Sequence, residues 1–375
     1  MGLKYSKALL HTPEGVWDHY GADAREYEAV ESGIRETMHR YGYEDIKTPM
    51  FEFFDVFSRD IGTRPSRELY KFFDKEGNTL VLRPDFTPSV ARCAAKYFMD
   101  ETQSLRFCYG GSTFCNMSAL QGHLNETTQM GAELVGDDSA EADAELLALT
   151  IEALQGVGLS RFQLTVGNVE YFRAMCEAAG LDEETELALR EHISGKNYFA
   201  AQRLLEQEKV SREFVVRFLQ ITSLAGNDAD LIAMRQDAPN ERVAGALSRL
   251  IEVYQVLKVY GYEQYISFDL SLLSNYRYYT GMLFKGYTYG VGDRIAGGGR
   301  YDALLSQFGK DAPAIGCAIQ IDTLMEALRA QKIAVAAADA PEVLTWSASE
   351  GDFEDKLHTA QALRAQGRHV MLRRI

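Results

Sequence analysis

The sequence predicts an α+β fold, and three observations carry that expectation. Segments rich in alternating, β-branched or aromatic residues recur at about 44–51, 79–83, 129–136, 264–270, 276–287 and 314–321. Segments with helical spacing lie among them, at about 23–41, from 87 onward, at 140–154 and at 322–330. A charge-rich helical stretch from about Leu181 to Tyr260 separates two strand-bearing regions, as an inserted helical subdomain would.

The elements follow in order. Tyr27, Val30, Ile34, Met38 and Tyr41 recur at helical spacing, and Gly42 is a fitting stop. Glu44–Phe51 reads as one strand with Ile46, Thr48 and Met50 on a face; Pro49 confines it to an edge or interface. Thr79–Arg83 reads as a strand. Asp85-Phe86-Thr87-Pro88 then opens a helix, with Thr87 as cap and Pro88 at the first helical position. Asp138-Ser139-Ala140-Glu141 reads as a capping-box start. Gly297-Gly298-Gly299 is a sharp turn or a close backbone approach. Ala314–Ile321 is a strand leading into a helix at Asp322–Ala330. The Ala-rich Gln331–Pro341 reads as a linker, and Glu342–Ile375 as strand, helix, strand.

Composition narrows the function classes. The 375 residues carry 39 basic and 54 acidic side chains, a formal charge of −15, which argues against a large nucleic-acid footprint. The five cysteines are widely spaced without a CxxC pair and read as reduced, mostly buried thiols of a cytoplasmic protein. The seven histidines show no metal-ligand spacing, so no metal is expected. The N-terminus has no long apolar run, so neither a signal peptide nor a membrane span is expected.

Leu105–Gly136 is the most informative stretch. Within it Met130, Ala132 and Leu134 alternate with Gln129, Gly131 and Glu133. On a strand the apolar set faces a core, and Gln129 and Glu133 stand together on the other face. Gly131 leaves that face open to close approach. A Gln and a Glu side by side suit a ligand rich in donors, such as an ammonium or an imidazole N–H. Taken alone, the stretch fits a half-exposed strand with a polar outer face better. From Arg106 to Arg161 no other Lys or Arg occurs, so a pocket built here is expected to repel phosphate.

Six stretches, in order, resemble the catalytic domain of histidyl-tRNA synthetase, a class II synthetase, over about Thr12 to Leu328. They are GYEDIKTPMFE (42–52), LRPDFT (82–87), the 129–136 strand, YYTG (278–281), GGGRYD (297–302) and AIGCAIQIDTL (314–324). The resemblance implies a six- or seven-stranded antiparallel sheet flanked by helices. It makes residues 1–330 a catalytic-type domain with its helical insertion at about 181–260. Residues 331–341 become the linker, and 342–375 a partial anticodon-binding-like α/β segment. Pro49 falls in motif 1, which implies a homodimer interface. The implied histidine-binding residues are Asp85 (usually Glu in the family), Thr87, Gln129, Glu133, Tyr278, Tyr279 and Tyr301, under the Gly297–Gly299 backbone.

The positions implied for catalysis do not carry over. The motif 2 arginine is Cys115, the motif 3 arginine is Thr323, and the family's further arginine is Ser274. Gln320 replaces a motif 3 glycine, Arg277 replaces an aspartate, and Asn116–Thr128 contains no Lys or Arg. Fixed cations stabilise the charge that develops on a phosphate, so their loss should abolish amino-acid activation. Arg83 and Arg300 remain, as structural or substrate-facing groups. A retained histidine pocket without ATP chemistry resembles the regulatory subunits of ATP phosphoribosyltransferase. That implies a non-catalytic chain without cofactors, paired with a short catalytic subunit at the first step of histidine biosynthesis, with L-histidine as feedback effector. A divergent active synthetase or amino-acid ligase, and a stand-alone amino-acid-binding module, are the alternatives.

Overall fold

The computed structural model describes residues 10–58, 64–117, 124–220, 228–273 and 278–375. They fall into two compact units. The larger comprises the residues up to Asp18 and Val30–Ala334, and the smaller comprises His19–Ala29 and Val335–Ile375.

In chain order the helices are α1 (Ala22–Arg40), α2 (Asp55–Ser58), α3 (Thr87–Tyr97), α4 (Ala140–Gly156), α5 (Val169–Ala178), α6 (Glu183–Ser194), α7 (Tyr198–Gln207), α8 (Arg212–Gln220), α9 (Asp228–Gln236), α10 (Glu241–Tyr260), α11 (Ile321–Ala330) and α12 (Phe353–Ala365). The strands are β1 (Glu44–Asp45), β2 (Phe51–Phe53), β3 (Lys71–Phe73), β4 (Thr79–Leu82), β5 (Leu105–Phe114), β6 (Glu126–Val135), β7 (Phe162–Asn168), β8 (Ile266–Phe268), β9 (Met282–Thr288), β10 (Ala296–Arg300), β11 (Ala314–Gln320), β12 (Glu342–Trp346) and β13 (Val370–Arg374).

The larger unit is built on an eight-stranded sheet of order β1-β5-β6-β11-β10-β9-β7-β8. Its interior pairs are antiparallel, but β1 with β5 and β7 with β8 are parallel. The fold is therefore α+β, with more strands than the six or seven expected and with parallel pairs at both ends. One face carries Met130, Ala132 and Leu134, all fully buried, and packs toward α4 and α11. The other face packs Phe107, Tyr109, Leu283 and Tyr301 against Phe86, Val90, Ala91 and Ala94 of α3 and its N-terminal approach.

Pro49 divides what reads as one strand. Glu44 and Asp45 join the large sheet beside β5, whereas Phe51–Phe53 pair with β4 in a separate three-stranded sheet, β2-β4-β3. A proline supplies no ladder N–H, so the chain leaves one sheet and enters the other around it. Ile46 and Thr48 are partly buried, but Met50 is half exposed.

Two helix starts differ from expectation. Phe86, not Thr87, is the residue before α3; Asp85 accepts hydrogen bonds from the Phe86 and Thr87 amides at 2.7 and 3.4 Å. Thr87 is thereby released to donate elsewhere. At α4, Ser139 caps Ala142 N–H at 3.1 Å, and the Ser139 amide donates to Asp137 rather than to a glutamate in a reciprocal box. Gly297–Gly299 form the middle of β10 and not a turn, and Tyr278–Gly281 precede β9 as irregular chain.

The residues between α5 and β8 supply α6 to α10, and 331–341 carry no helix or strand. In the smaller unit β12 pairs in parallel with β13, joined by α12, and Trp346 meets Phe353 edge-on at 4.8 Å.

Candidate functional site

The site lies on the face of the sheet that α3 covers. β5, β6, β11 and β10 lie side by side there, and their register sets Tyr109 opposite Gly131 and Glu133 opposite Gly316. A side chain on Gly131 would collide with the Tyr109 hydroxyl, and one on Gly316 with the Glu133 carboxylate. The two glycines are therefore what allow Tyr109 and Glu133 to lie flat across the neighbouring strands.

Glu133 is 1% exposed. Its Oε1 accepts from the Thr87 hydroxyl at 2.7 Å and the Tyr109 hydroxyl at 3.2 Å; its Oε2 accepts from the Tyr301 hydroxyl at 2.5 Å. Burial raises the carboxyl to about 7, and the nearby Asp85 charge adds to that, while the three hydroxyls oppose it. Asp85 is also raised by burial, against the pull of its two amide donors, Arg294 and Gln129. Tyr278 and Tyr279 lie with ring centroids 4.6 Å apart, and Tyr278 meets Tyr301 edge-on at 5.9 Å.

Asp85, Thr87, Gln129, Glu133, Tyr278, Tyr279 and Tyr301 all line one cavity of about 70 Å³, together with Gly297, Gly298 and Gly299. By the same kind of measure a single water needs roughly 10–15 Å³, so the space exceeds that of one solvent molecule. The β6 face carrying Gln129 and Glu133 is buried, not half-exposed, because α3 and Tyr301 cover it.

The cavity is not free of cations. Arg64 and Arg294 line it, from segments far from the Arg106–Arg161 interval in sequence. Arg64 donates to the Met117 sulfur at 3.4 Å and stands 3.8 Å from Glu68. Neither Cys115 nor Thr323 is among the lining residues. Cys115 is buried just beyond β5, where burial raises its thiol to about 11. Ser274 and Arg277 lie outside the described residues.

Arg83 and Arg300 are both held by the protein. Arg83 donates to the Ser112 and Thr48 carbonyls and stacks on Phe86 at 3.8 Å. Arg300 is 5% exposed and grips Asp143 with Nε and Nη2 at 2.8 and 2.6 Å; Arg249 of α10 reaches the same carboxylate at 2.6 Å. Removing one member of such a buried group typically costs about 3–5 kcal/mol.

Sequence reasoning missed Tyr109, Arg64, Arg294, Thr113 and Thr127, and it named Gln320, which also lines the cavity, only as a departure from motif 3. Tyr109 carried a signal in Tyr109-Gly110-Gly111, which pairs with the glycine-bearing β6. The two arginines carried none. His39, Asp45 and Cys108 also converge, with ligand-type atoms within 4.8 Å. Arg35 and His39 already pair with Asp45, and burial holds the Cys108 thiol up at about 12. A metal would need the thiolate, so the cluster is a charge-paired one. Among the described residues no helix is long and apolar enough to cross a membrane.

Comparison with known proteins accords with this geometry. The family model for histidyl-tRNA synthetase matches residues 15–324. An ATP phosphoribosyltransferase regulatory subunit of Ruminiclostridium cellulolyticum is 38% identical over 323 residues, which span 86% of this chain and 77% of that protein. One of Caldanaerobacter subterraneus subsp. tengcongensis is 35% identical, over 86% of this chain and 84% of its own length. A crystal structure titled as an ATP phosphoribosyltransferase regulatory subunit/histidyl-tRNA synthetase from Bacillus halodurans superposes with a TM-score of 0.88 at 31% identity. It covers 98% of this chain and 93% of that one. Histidyl-tRNA synthetase of Nostoc shares the fold at a TM-score of 0.81 and 21% identity, over 97% of this chain and 85% of that one. With a class II synthetase sheet and relatives at this level over most of its length, the chain belongs to the family of ATP phosphoribosyltransferase regulatory subunits.

Proposed function

We propose that this chain is the non-catalytic regulatory subunit that binds L-histidine in the Glu133 cavity and reports its occupancy to a short-form ATP phosphoribosyltransferase catalytic subunit, at the first step of histidine biosynthesis. The observation that carries the reading is the convergence of Asp85, Gln129, Glu133 and three tyrosines on one cavity. An imidazole N–H finds an acceptor in Glu133, already oriented by three hydroxyls. The ammonium finds Asp85 and Gln129, and the Tyr278 and Tyr279 rings flank the apolar part. The reading requires no cofactor, metal, nucleic acid or membrane, and its compartment is the cytoplasm.

Self-association belongs to the same reading. The outer face of the three-stranded sheet presents Phe51, Phe53 and Phe72, 51, 56 and 37% exposed, beside Pro49. An apolar patch of this kind supports a homodimer through the 42–52 region.

Calorimetry on the purified chain tests the ligand. L-histidine should bind, ATP should give no appreciable heat, and Glu133→Gln should weaken histidine roughly 10–150-fold by loss of a charge-assisted contact. Unchanged affinity in that variant would move the site elsewhere.

A further inference from the structure

The cavity carries both signs of charge. Asp85 and Glu133 lie on its wall with Arg294 and Arg64. A polyanionic phosphate would meet two carboxyl groups there. A zwitterion would not, provided each of its charges finds its own partner.

Arg294 is placed for the negative one. It enters from the turn before β10, and its Nη1 lies 3.3 Å from where a Cβ on Gly297 would stand. The guanidinium thus runs along bare backbone at the cavity wall, which a larger residue at 297 would obstruct. Its charge acts on Asp85, the acid nearest the α3 N-terminus. An acid and a guanidinium on one cavity wall suit the two opposite charges of an α-amino acid. A guanidinium also offers the planar fork that a carboxylate accepts. Arg64 is turned toward Met117 and Glu68.

We propose that Arg294 is the residue that binds the α-carboxylate of the ligand and makes the cavity select an intact amino acid over its decarboxylated amine. The inference rests on the histidine reading above and adds to it the group that recognises the carboxylate. Arg294 then works beside Asp85 as one half of a zwitterion clamp, while Glu133 reads the side chain.

The test is calorimetric titration of the full chain with L-histidine and with histamine, which lacks only the carboxylate. The wild type should prefer L-histidine. Arg294→Met should weaken L-histidine roughly 10–150-fold. It should move histamine by less than about threefold, so that the preference collapses. Arg294→Lys should restore part of it, and Arg64→Met should leave it intact. Equal loss of both ligands, an unchanged preference in Arg294→Met, or its collapse in Arg64→Met instead would overturn this assignment while histidine binding stood. A wild type that bound no histidine would overturn the underlying reading and this assignment together.

Discussion

Glu133 is the residue on which the site turns. Its carboxyl at about 7 lies well above the usual value of 4.5 because it is fully enclosed. Free imidazole titrates at roughly 6.5. In the proposed histidine complex the two groups would share one proton, so the sign of the linkage changes with pH. Below about 6.5 both free partners are protonated, binding releases a proton, and affinity falls as the pH drops. Above about 7 both are deprotonated, binding takes up a proton, and affinity falls as the pH rises. Histidine affinity should therefore be bell-shaped, with its maximum near neutrality, and calorimetry in buffers of different ionisation enthalpy should show proton release on one limb and uptake on the other. Affinity that is flat from pH 5.5 to 8.5 would remove Glu133 from contact with the imidazole. Residue identity was legible in sequence wherever a motif carried it, as at Gln129, Glu133 and Tyr301. Arg64 and Arg294 were not legible, because nothing local marks a side chain whose role depends on a strand elsewhere.

Among the elements, glycines in strands make the room that the site's side chains occupy. Gly316 sits opposite Glu133 in the β6/β11 register, and a methyl there would drive the carboxylate off its three hydroxyls. Gly316→Ala should cost about 1–3 kcal/mol in denaturant unfolding, the usual range for overpacking, and should abolish histidine binding. Gly245 lies in α10 with nothing near its missing Cβ, so Gly245→Ala should stabilise by about 0.5–1 kcal/mol. A neutral Gly316→Ala would mean that Glu133 has another place to go. The same packing explains why Gly297–Gly299 extend as a strand. A run of glycines signals close approach equally in a turn or a sheet, and the partners β9 and β11 decide which. Pro49's missing donor is likewise a local property, but it reads only as an edge mark, and the partners β5 and β4 decide that the strand divides there.

For the whole molecule the question is what reads the cavity. A pocket without chemistry has consequences only if another chain responds to its occupancy, and that response must be reciprocal. The chain alone should transfer no phosphoribosyl group and should give no histidine-dependent pyrophosphate exchange, as expected if Cys115 and Thr323, neither a cation, stand where the resemblance puts the synthetase arginines. Mixed with a short catalytic subunit it should raise the rate, and L-histidine should slow the complex. The Glu133→Gln complex should keep its activity and lose sensitivity to histidine. Steady-state rate against histidine concentration decides this: equal inhibition of both complexes would put the sensor outside this chain.

Sequence alone determined the class of fold, part of the succession of helices and strands, and the polar set on β6, because periodicity and motif order are local or nearly so; β3, β5, β7 and β10 carried no strand reading. Tertiary structure alone decided that Glu133 is enclosed, since Thr87, Tyr109 and Tyr301 reach it from 46, 24 and 168 residues away. It also decided the charge of the cavity. An interval of chain without cations is expected to make a pocket that repels anions, yet Arg64 and Arg294 arrive from distant segments. Charge acts through space, so the potential at a site belongs to whatever the fold brings near it and not to the stretch of sequence that forms its floor.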